Sequence, residues 1–303
     1  MLKIFVHTHK HHFYKLISFY LKKPYKPNTS TITINLETKQ FQKVLEIFKP
    51  QKVTYETITF YTKLNEPIRE MVSSDFNILI FNSEQEMNSE IQKIKTRDKE
   101  IIEDYLNSKS INKNPSLRSI LSELQLHIDN YPNLDTHQLA RINYQYKEVI
   151  TQLSLLSIKS HLIIIDEEIE DISKTIVKYP LSLYSELLDI PQQELDDFLK
   201  LYDVDGNIMQ KVELLVNLIK ETVLNYWTIF YTANNREARQ YLIPTNTNVH
   251  KASEKIHTEI AQKFIQAEVF NVDEIQDIKT LPFKSFGKSY IVKNHDFILI
   301  KTS

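Results

Sequence analysis

Alternating apolar and polar positions predict a pair of strands from Trp227 onward. Two short alternating runs, Trp227–Tyr231 and Arg239–Ile243, flank a turn that carries Asn234 and Asn235. Short runs separated by turn-forming residues are typical of neighbouring strands. The pattern therefore predicts a strand, a turn and a second strand over this stretch.

A helix and two more strands are predicted after this pair. Apolar residues recur at a spacing of four, which indicates one face of a helix, and Thr247 or Asn248 can cap it. These apolar positions are Ala252, Ile256, Ile260 and Phe264. Two final strands are predicted at Tyr290–Lys293 and Phe297–Ile300, with a short turn between them. The order of elements predicts a small α+β module of the β-grasp type over residues 225–303.

Strand-like and helix-like segments alternate through most of the remaining chain. The predicted strands cover residues 2–6, 31–36, 54–61, 76–81, 161–165 and 175–181. The predicted helices cover residues 11–22, 40–48, 191–201 and 208–223. Such alternation is typical of a mostly parallel sheet with helices on its faces. We therefore expect an α/β body made of residues 1–82 and 158–224.

Long polar helices interrupt this body between residues 83 and 157. Two are predicted at Glu86–Asn107 and Ser116–Asn130, and a third begins after Asp135, with Gln138 at the spacing of a capping box. These helices predict an inserted antiparallel arm. A plain helical hairpin and an arm that recognises a partner both fit the pattern, and the apolar repeat is too short to indicate a coiled coil.

Several segments together resemble one known family. The C-terminal segments read Phe230-Tyr231-Thr232-Ala233, Glu237-Ala238-Arg239, Lys255-Ile256-His257-Thr258-Glu259, Lys263–Val269, Gly287-Lys288, Tyr290–Lys293 and Asp296. They resemble, in order, the C-terminal TGS domain of the YchF/Obg-like ATPases. Thr31-Ile32-Thr33 and Glu46–Lys52 are similar to the segment before the third nucleotide motif of that family. The resemblance implies a P-loop-NTPase-like sheet with an inserted helical arm, followed by the TGS-like domain.

Composition limits the chemistry of this chain. It has 2 glycines and no cysteine among 303 residues, with a formal net charge of −2. Glycine normally makes up about 7% of a protein, so a glycine-rich phosphate loop is excluded. Without cysteine, disulfides and thiolate metal sites are excluded too. The short apolar run at the N-terminus and the lack of any run of transmembrane length predict a cytoplasmic protein that does not enter membranes.

The phosphate loop of the family is replaced by other residue types. Aligned without gaps, His7 and His12 stand where the family has glycines. Phe13 stands at the lysine position and Tyr14 at the metal-binding hydroxyl. Phosphate loops need glycine because backbone N–H groups must close around the phosphates. A shift of register would bring Lys15 near the lysine position but would supply no glycine.

Two further nucleotide motifs of the family are also altered. Residues 62–67 stand where the family has an Asp-x-Ala-Gly turn and a glycine-rich switch, so the switch is deleted. In the base-reading motif, Ile165 takes the asparagine position and Glu168 alone remains. The resemblance with these losses implies a pseudo-GTPase that lacks catalytic residues, cofactors and a small-molecule substrate.

The first 52 residues contain histidines and excess positive charge. Histidines at positions 7, 9, 11 and 12 suit Zn²⁺ by spacing, but no acidic residue precedes Glu37, so we expect a polar loop and no metal site. The same 52 residues hold ten lysines against two acidic residues. Such asymmetry is typical of a protein that contacts phosphate backbones, although a solvated basic loop gives the same pattern.

The resemblance therefore implies a non-catalytic protein that binds the ribosome or ribosomal RNA and takes part in translation. Candidate contacts are Lys22, Lys23, Lys26, Arg236, Arg239, Lys255, His257 and Lys263. Two alternatives stay open. One is a residual ATPase of the YchF type, and the other is an interaction module whose partner is a protein, such as an active paralogue.

Overall fold

The computed structural model describes residues 1–7, 10–63, 66–108, 114–167, 176–201, 207–275 and 281–303. Across these ranges the strands are β1 (Leu2–His7), β2 (Thr31–Asn35), β3 (Lys52–Thr54), β4 (Thr57–Tyr61), β5 (Phe76–Phe81), β6 (His161–Ile165), β7 (Ile176–Lys178), β8 (Trp227–Ala233), β9 (Glu237–Pro244), β10 (Phe264–Asn271), β11 (Lys284–Phe286) and β12 (Asp296–Thr302). The helices are α1 (Lys10–Tyr20), α2 (Lys39–Phe48), α3 (Pro67–Ser73), α4 (Glu84–Asn107), α5 (Pro115–Asn130), α6 (Thr136–Gln145), α7 (Lys147–Leu153), α8 (Leu181–Leu187), α9 (Gln192–Leu201), α10 (Ile208–Leu224), α11 (Val249–Ile256) and α12 (Thr258–Gln262). None of the helices in these ranges is long and apolar enough to cross a bilayer.

The first sheet has the strand order β2-β4-β1-β5-β6-β7. Within it, β1 pairs in parallel with β5, β5 with β6, and β6 with β7. Every residue of β5 and β6 is buried, which explains why both strands read as apolar runs interrupted only by Asn77 and His161. These parallel pairs confirm the predicted α/β class.

Contacts divide the chain into two compact units. The body unit consists of residues 3–32 and 59–222, and the C-terminal unit consists of residues 1–2, 33–58 and 223–303. The predicted domain bounds had placed residues 33–58 in the α/β body. The structure groups these residues with the C-terminal sheet, and it groups the helical segment 83–157 with the parallel sheet of the body unit.

The second sheet, in the C-terminal unit, has the order β11-β10-β12-β8-β9-β3. β8 and β9 form the predicted antiparallel pair, while β12 runs parallel to β8. β3 extends the sheet by pairing in parallel with β9, with Val53 opposite Ala238. Because β3 supplies an edge strand, residues near position 53 belong structurally to the C-terminal unit.

Helix α2 lies on the face of this sheet opposite to α11. Phe230 packs in one cluster with Val249 and Ala252 of α11. The next residue, Tyr231, stacks on Phe41 of α2 with 5.3 Å between ring centroids. Since successive side chains of a strand point to opposite faces, the sheet is covered by one helix on each side.

A hydrogen-bond relay ties the start of α2 to the same sheet. Thr38 caps α2 by accepting from the Phe41 N–H at 3.2 Å, and its Oγ1 lies 2.8 Å from Tyr231 Oη. Tyr231 Oη also lies 2.8 Å from His295 Nδ1. Burial lowers the pKa of His295, which favours the neutral ring that can accept a hydrogen bond from the tyrosine.

Three predictions for the C-terminal elements need correction. The single helix predicted through Phe264 ends at Ile256, because His257 has an extended backbone (φ −167°) and caps the separate helix α12. Phe264 instead begins strand β10 and enters the apolar cluster of the sheet. Residues 290–293 do not form a strand and contribute one bridge, between Ile291 and Asn248.

A buried carboxylate joins helix α4 to the end of the helical segment 83–157. Asp98 of α4 is fully buried and accepts hydrogen bonds from the N–H groups of Leu156 and Ser157 at 2.8 and 2.7 Å. Its other oxygen lies 2.6 Å from the Arg97 guanidinium. Farther along, Asp135 and Gln138 form the predicted capping box at the start of α6.

Candidate functional site

The carboxyl edge of the parallel sheet is the expected position of a ligand, because open α/β sheets bind ligands beyond the carboxyl ends of their strands. After β1, helix α1 carries Phe13 and Tyr14, and both side chains are fully buried. Phe13 contacts Phe60 edge-on with 5.2 Å between centroids, and Tyr14 Oη donates to the Ser30 carbonyl at 3.3 Å. Burial raises the pKa of Tyr14, so its hydroxyl stays protonated. The positions aligned with the lysine and the metal-binding hydroxyl thus hold core aromatics.

Lys15, which a shift of register would bring near the lysine position of the phosphate loop, forms an ion pair with Asp189. Its Nζ lies 2.5 Å from Asp189 Oδ2, and its side chain is 12% exposed. Asp189 lies just beyond the end of helix α8, which packs against α1. A phosphate at Lys15 would therefore have to displace a carboxylate that already holds the ammonium group.

The end of β6 is closed by hydrogen bonds within the chain. Ile165, at the position aligned with the base-reading asparagine, is 1% exposed. The next residue, Asp166, accepts from the N–H of Ser182 at 3.0 Å and from its hydroxyl. Glu168, the other position of that motif, lies outside the described residues.

A second ion-pair cluster joins the ends of β6 and β7 to the start of α4. Lys178 Nζ lies 2.8 Å from a carboxylate oxygen of Glu167 and 2.8 Å from one of Glu84. Hydrogen bonds to Glu167 and then Glu84 raise the pKa of Lys178. Lys15 and Lys178 are therefore both paired with carboxylates of the chain itself.

The described histidines His7 and His11, at the end of β1 and the start of α1, lie beside the aromatic rings of Phe5 and Tyr25. His11 Nδ1 lies 2.8 Å from Tyr25 Oη, and the rings of His11 and His12 meet edge-on. His7 and His12 are partly exposed, and His9 lies outside the described residues. Among the residues that the structure does describe, no group of three potential ligands could hold a metal ion.

The predicted nucleic-acid contacts are all exposed but lie in separate places. Lys22, Lys23 and Lys26 follow α1 in the body unit, with Lys22 in the left-handed region (φ 54°). In the C-terminal unit, Arg236 and Arg239 lie in and after the β8–β9 turn, where Arg239 covers the Tyr241 ring at 5.1 Å. Lys255, His257 and Lys263 lie around the ends of α11 and α12.

A half-buried lysine and a buried histidine lie at the opposite, amino edge of the parallel sheet, and sequence reasoning missed them. The Lys159 ammonium donates to the carbonyls of Met71 and Val72, and burial lowers its pKa to about 8. His161, the first residue of β6, packs edge-on against Tyr131, and burial lowers its pKa to about 4. The sequence feature that could have indicated these residues is the histidine at the start of the otherwise apolar strand β6.

Comparison with known proteins identifies relatives of both units. Residues 227–303 match the family model of the YchF-GTPase C-terminal region, described as a protein of unknown function (DUF933). Obg-like ATPase 1 of Caenorhabditis elegans is 28% identical over 138 residues, which are 43% of this chain and 33% of that protein. The ribosome-binding ATPase YchF of Buchnera aphidicola from Acyrthosiphon pisum is 24% identical over 219 residues, 64% of this chain and 58% of its own.

The fold has a counterpart among solved structures. The YchF GTPase of Schizosaccharomyces pombe superimposes with a TM-score of 0.65 at 14% identity, covering 99% of this chain and 97% of that one. This likeness shows a shared fold. By sequence, the chain spans only 33% and 58% of the Caenorhabditis elegans and Buchnera aphidicola relatives.

Proposed function

We propose that this chain, which is a relative of the YchF and Obg-like ATPases, is a cytoplasmic, non-catalytic protein that binds the ribosome. Two relatives carry the name ribosome-binding ATPase YchF. The match over residues 227–303 indicates that the C-terminal domain of that family is retained. That name joins ribosome binding with ATPase activity, and we assign only ribosome binding to this chain.

The observation that supports the proposed lack of catalysis is the pairing of Lys15 and Lys178 with carboxylates. Lys15 is paired with Asp189, and Lys178 is paired with Glu84 and Glu167. A nucleotide site must offer free positive charge and backbone N–H groups to phosphates. Carboxylates around these lysines repel phosphates instead, so the edge favours internal ion pairs over a nucleotide.

Titration with ATP and Mg²⁺ tests this part of the proposal. We expect a dissociation constant weaker than about 1 mM, which corresponds to less than about 4 kcal/mol of binding free energy. An Obg-like ATPase titrated in the same buffer serves as the positive control. Micromolar binding of ATP or GTP that depends on Mg²⁺ would support the residual ATPase instead.

The binding part of the proposal is supported by exposed positive charge in both units. Lysines that neutralise RNA phosphates release counterions, so the affinity should fall steeply as the salt concentration rises. Sedimentation of the full chain with purified ribosomes across a salt series measures this slope. Because we assign no nucleotide site to this chain, ATP and a non-hydrolysable analogue should leave the binding unchanged.

Single substitutions identify the contacts in the same assay. Changing Lys22, Lys23 or Lys263 to alanine should reduce the salt slope by about one each. Lys301→Ala is the matched control, because it removes equal charge from a lysine already paired with Glu268 at 3.1 Å. Absence of co-sedimentation at low salt would reject ribosome binding and favour a protein partner. Binding that requires ATP would instead support the residual ATPase.

A further inference from the structure

Gly287 occupies a position where the fold does not require glycine. A Cβ atom added there meets no heavy atom within 4 Å, and the backbone lies outside the left-handed region that favours glycine. The chain holds only 2 glycines in 303 residues, where about 7% is usual. Neither internal packing nor backbone conformation accounts for a glycine here. Close approach of a ligand to the main chain is another use of glycine, and this open, exposed position permits it.

Unpaired positive charge surrounds this glycine. Lys284 lies on the edge strand β11 and Lys288 directly follows Gly287, and both side chains are exposed. Neither lysine forms an ion pair with another residue in the part of the chain that the structure describes. Residues 281–293 contain three lysines and no acidic residue. This surface therefore favours a negatively charged partner.

The backbone that carries these groups is fixed to the core of the C-terminal unit. Phe286 and Tyr290 stack with 4.1 Å between ring centroids. Tyr290 Oη donates to Asp296 at 2.8 Å, and the Tyr290 N–H donates to the Gly287 carbonyl at 3.2 Å. Two aromatic side chains thus hold the turn while Gly287 and both lysines stay exposed. A rigid surface of this kind loses little conformational entropy on binding.

We propose that the turn formed by Lys284–Ile291 is a contact surface for an RNA backbone, in which the missing side chain of Gly287 lets a phosphate approach the main chain. Lys284 and Lys288 then neutralise the phosphates on either side. Ile291, 45% exposed, provides apolar surface for a sugar or base. This inference rests on the proposed ribosome binding and assigns part of it to a surface other than the predicted basic contacts.

Substitution of Gly287 separates binding from folding. Gly287→Ala and Gly287→Val should leave the thermal midpoint unchanged or slightly higher, because the space beside Gly287 is open and glycine loses the most entropy on folding. Fluorescence anisotropy with a labelled single-stranded RNA should show Gly287→Val weakening affinity by about fivefold or more, the equivalent of one lost contact. Ser289→Ala, exposed in the same turn, is the matched control and should bind like the wild type.

The two lysines provide a second, independent readout. Lys284→Ala and Lys288→Ala should each reduce the salt slope of RNA binding by about one. If Gly287→Val binds the RNA as tightly as the wild type, or if the wild type fails to bind it, the inference is overturned. Ribosome sedimentation of the same proteins distinguishes the two proposals. RNA binding that depends on Gly287 without ribosome binding would reject only the proposed function, whereas ribosome binding unaffected by Gly287→Val would reject only this inference.

Discussion

Removing the Phe41 side chain should destabilise the C-terminal unit, although Phe41 is remote in sequence from most of it. The ring is fully buried, stacks on Tyr231 at 5.3 Å and meets Tyr55 edge-on at 5.3 Å. All three residues belong to the C-terminal unit. Phe41→Ala therefore creates a cavity between α2 and the second sheet.

The size of the effect follows from the loss of a fully buried aromatic ring. Truncating a core phenylalanine to alanine costs about 3–5 kcal/mol, so we expect the free energy of unfolding to fall by about 4 kcal/mol. With an m-value of about 2 kcal/mol per M of urea, the urea concentration at the unfolding midpoint should fall by about 2 M. Lys43→Ala, exposed on the same helix, is the matched control and should change stability by less than about 0.5 kcal/mol.

Tryptophan fluorescence reports on the correct unit. Trp227 is the only tryptophan in the chain, and it lies at the start of β8 in the C-terminal unit. Urea titrations of the wild type, Phe41→Ala and Lys43→Ala at one protein concentration give the three midpoints. A fluorescence midpoint for Phe41→Ala within about 0.25 M of the control, or about 0.5 kcal/mol at that m-value, would show that α2 does not stabilise the second sheet, and the assignment of residues 33–58 would be rejected.

Three further substitutions test the buried polar groups. Tyr231→Phe removes the hydroxyl between Thr38 and His295 and should cost about 1–2 kcal/mol in the same fluorescence assay; an unchanged midpoint would contradict the relay. Asp98→Ala leaves two buried N–H groups without acceptors and should cost about 3 kcal/mol or more, measured by circular dichroism, whereas an effect below about 1 kcal/mol would mean that water replaces the carboxylate. His161 has its pKa lowered to about 4, so its contribution to stability is complete above its unfolded pKa of about 6.5 and is lost as the pH falls towards 4. His161→Phe should therefore flatten the loss of stability between pH 6.5 and 4, and an unchanged slope would assign that loss to other groups.

Local patterns in the sequence were sufficient for the elements whose partners lie nearby or whose burial is complete. The runs at β5 and β6 have no polar alternation, so burial on both faces follows from the sequence. The capping box of Asp135 and Gln138 depends on residues three positions apart, and it was predicted correctly. The positions of the glycines alone excluded a glycine-rich phosphate loop, because neither Gly206 nor Gly287 lies near the first strand.

The interior of the predicted C-terminal helix shows where local periodicity misleads. Ala252, Ile256, Ile260 and Phe264 are spaced as on one helix face, and a helix through all four satisfies local patterning. The structure ends that helix at Ile256 because Phe264 enters the sheet core as the first residue of β10. Burial in a long-range cluster outweighed helical spacing, and the sequence contains no separate sign of that cluster.

The sequence determined which residues of α2 are apolar, and the tertiary structure decided which sheet they cover. Phe41 and Val44 form an apolar stripe that fits the face of either sheet, because hydrophobic burial has no direction and does not specify a partner. The pairing of β3 with β9 and the stacking of Phe41 on Tyr231 place this segment in the C-terminal unit. In the same way, the two glycines of the sequence were enough to exclude a glycine-rich phosphate loop. Only the fold showed that Lys15 is held by Asp189, because that contact joins residues 174 positions apart.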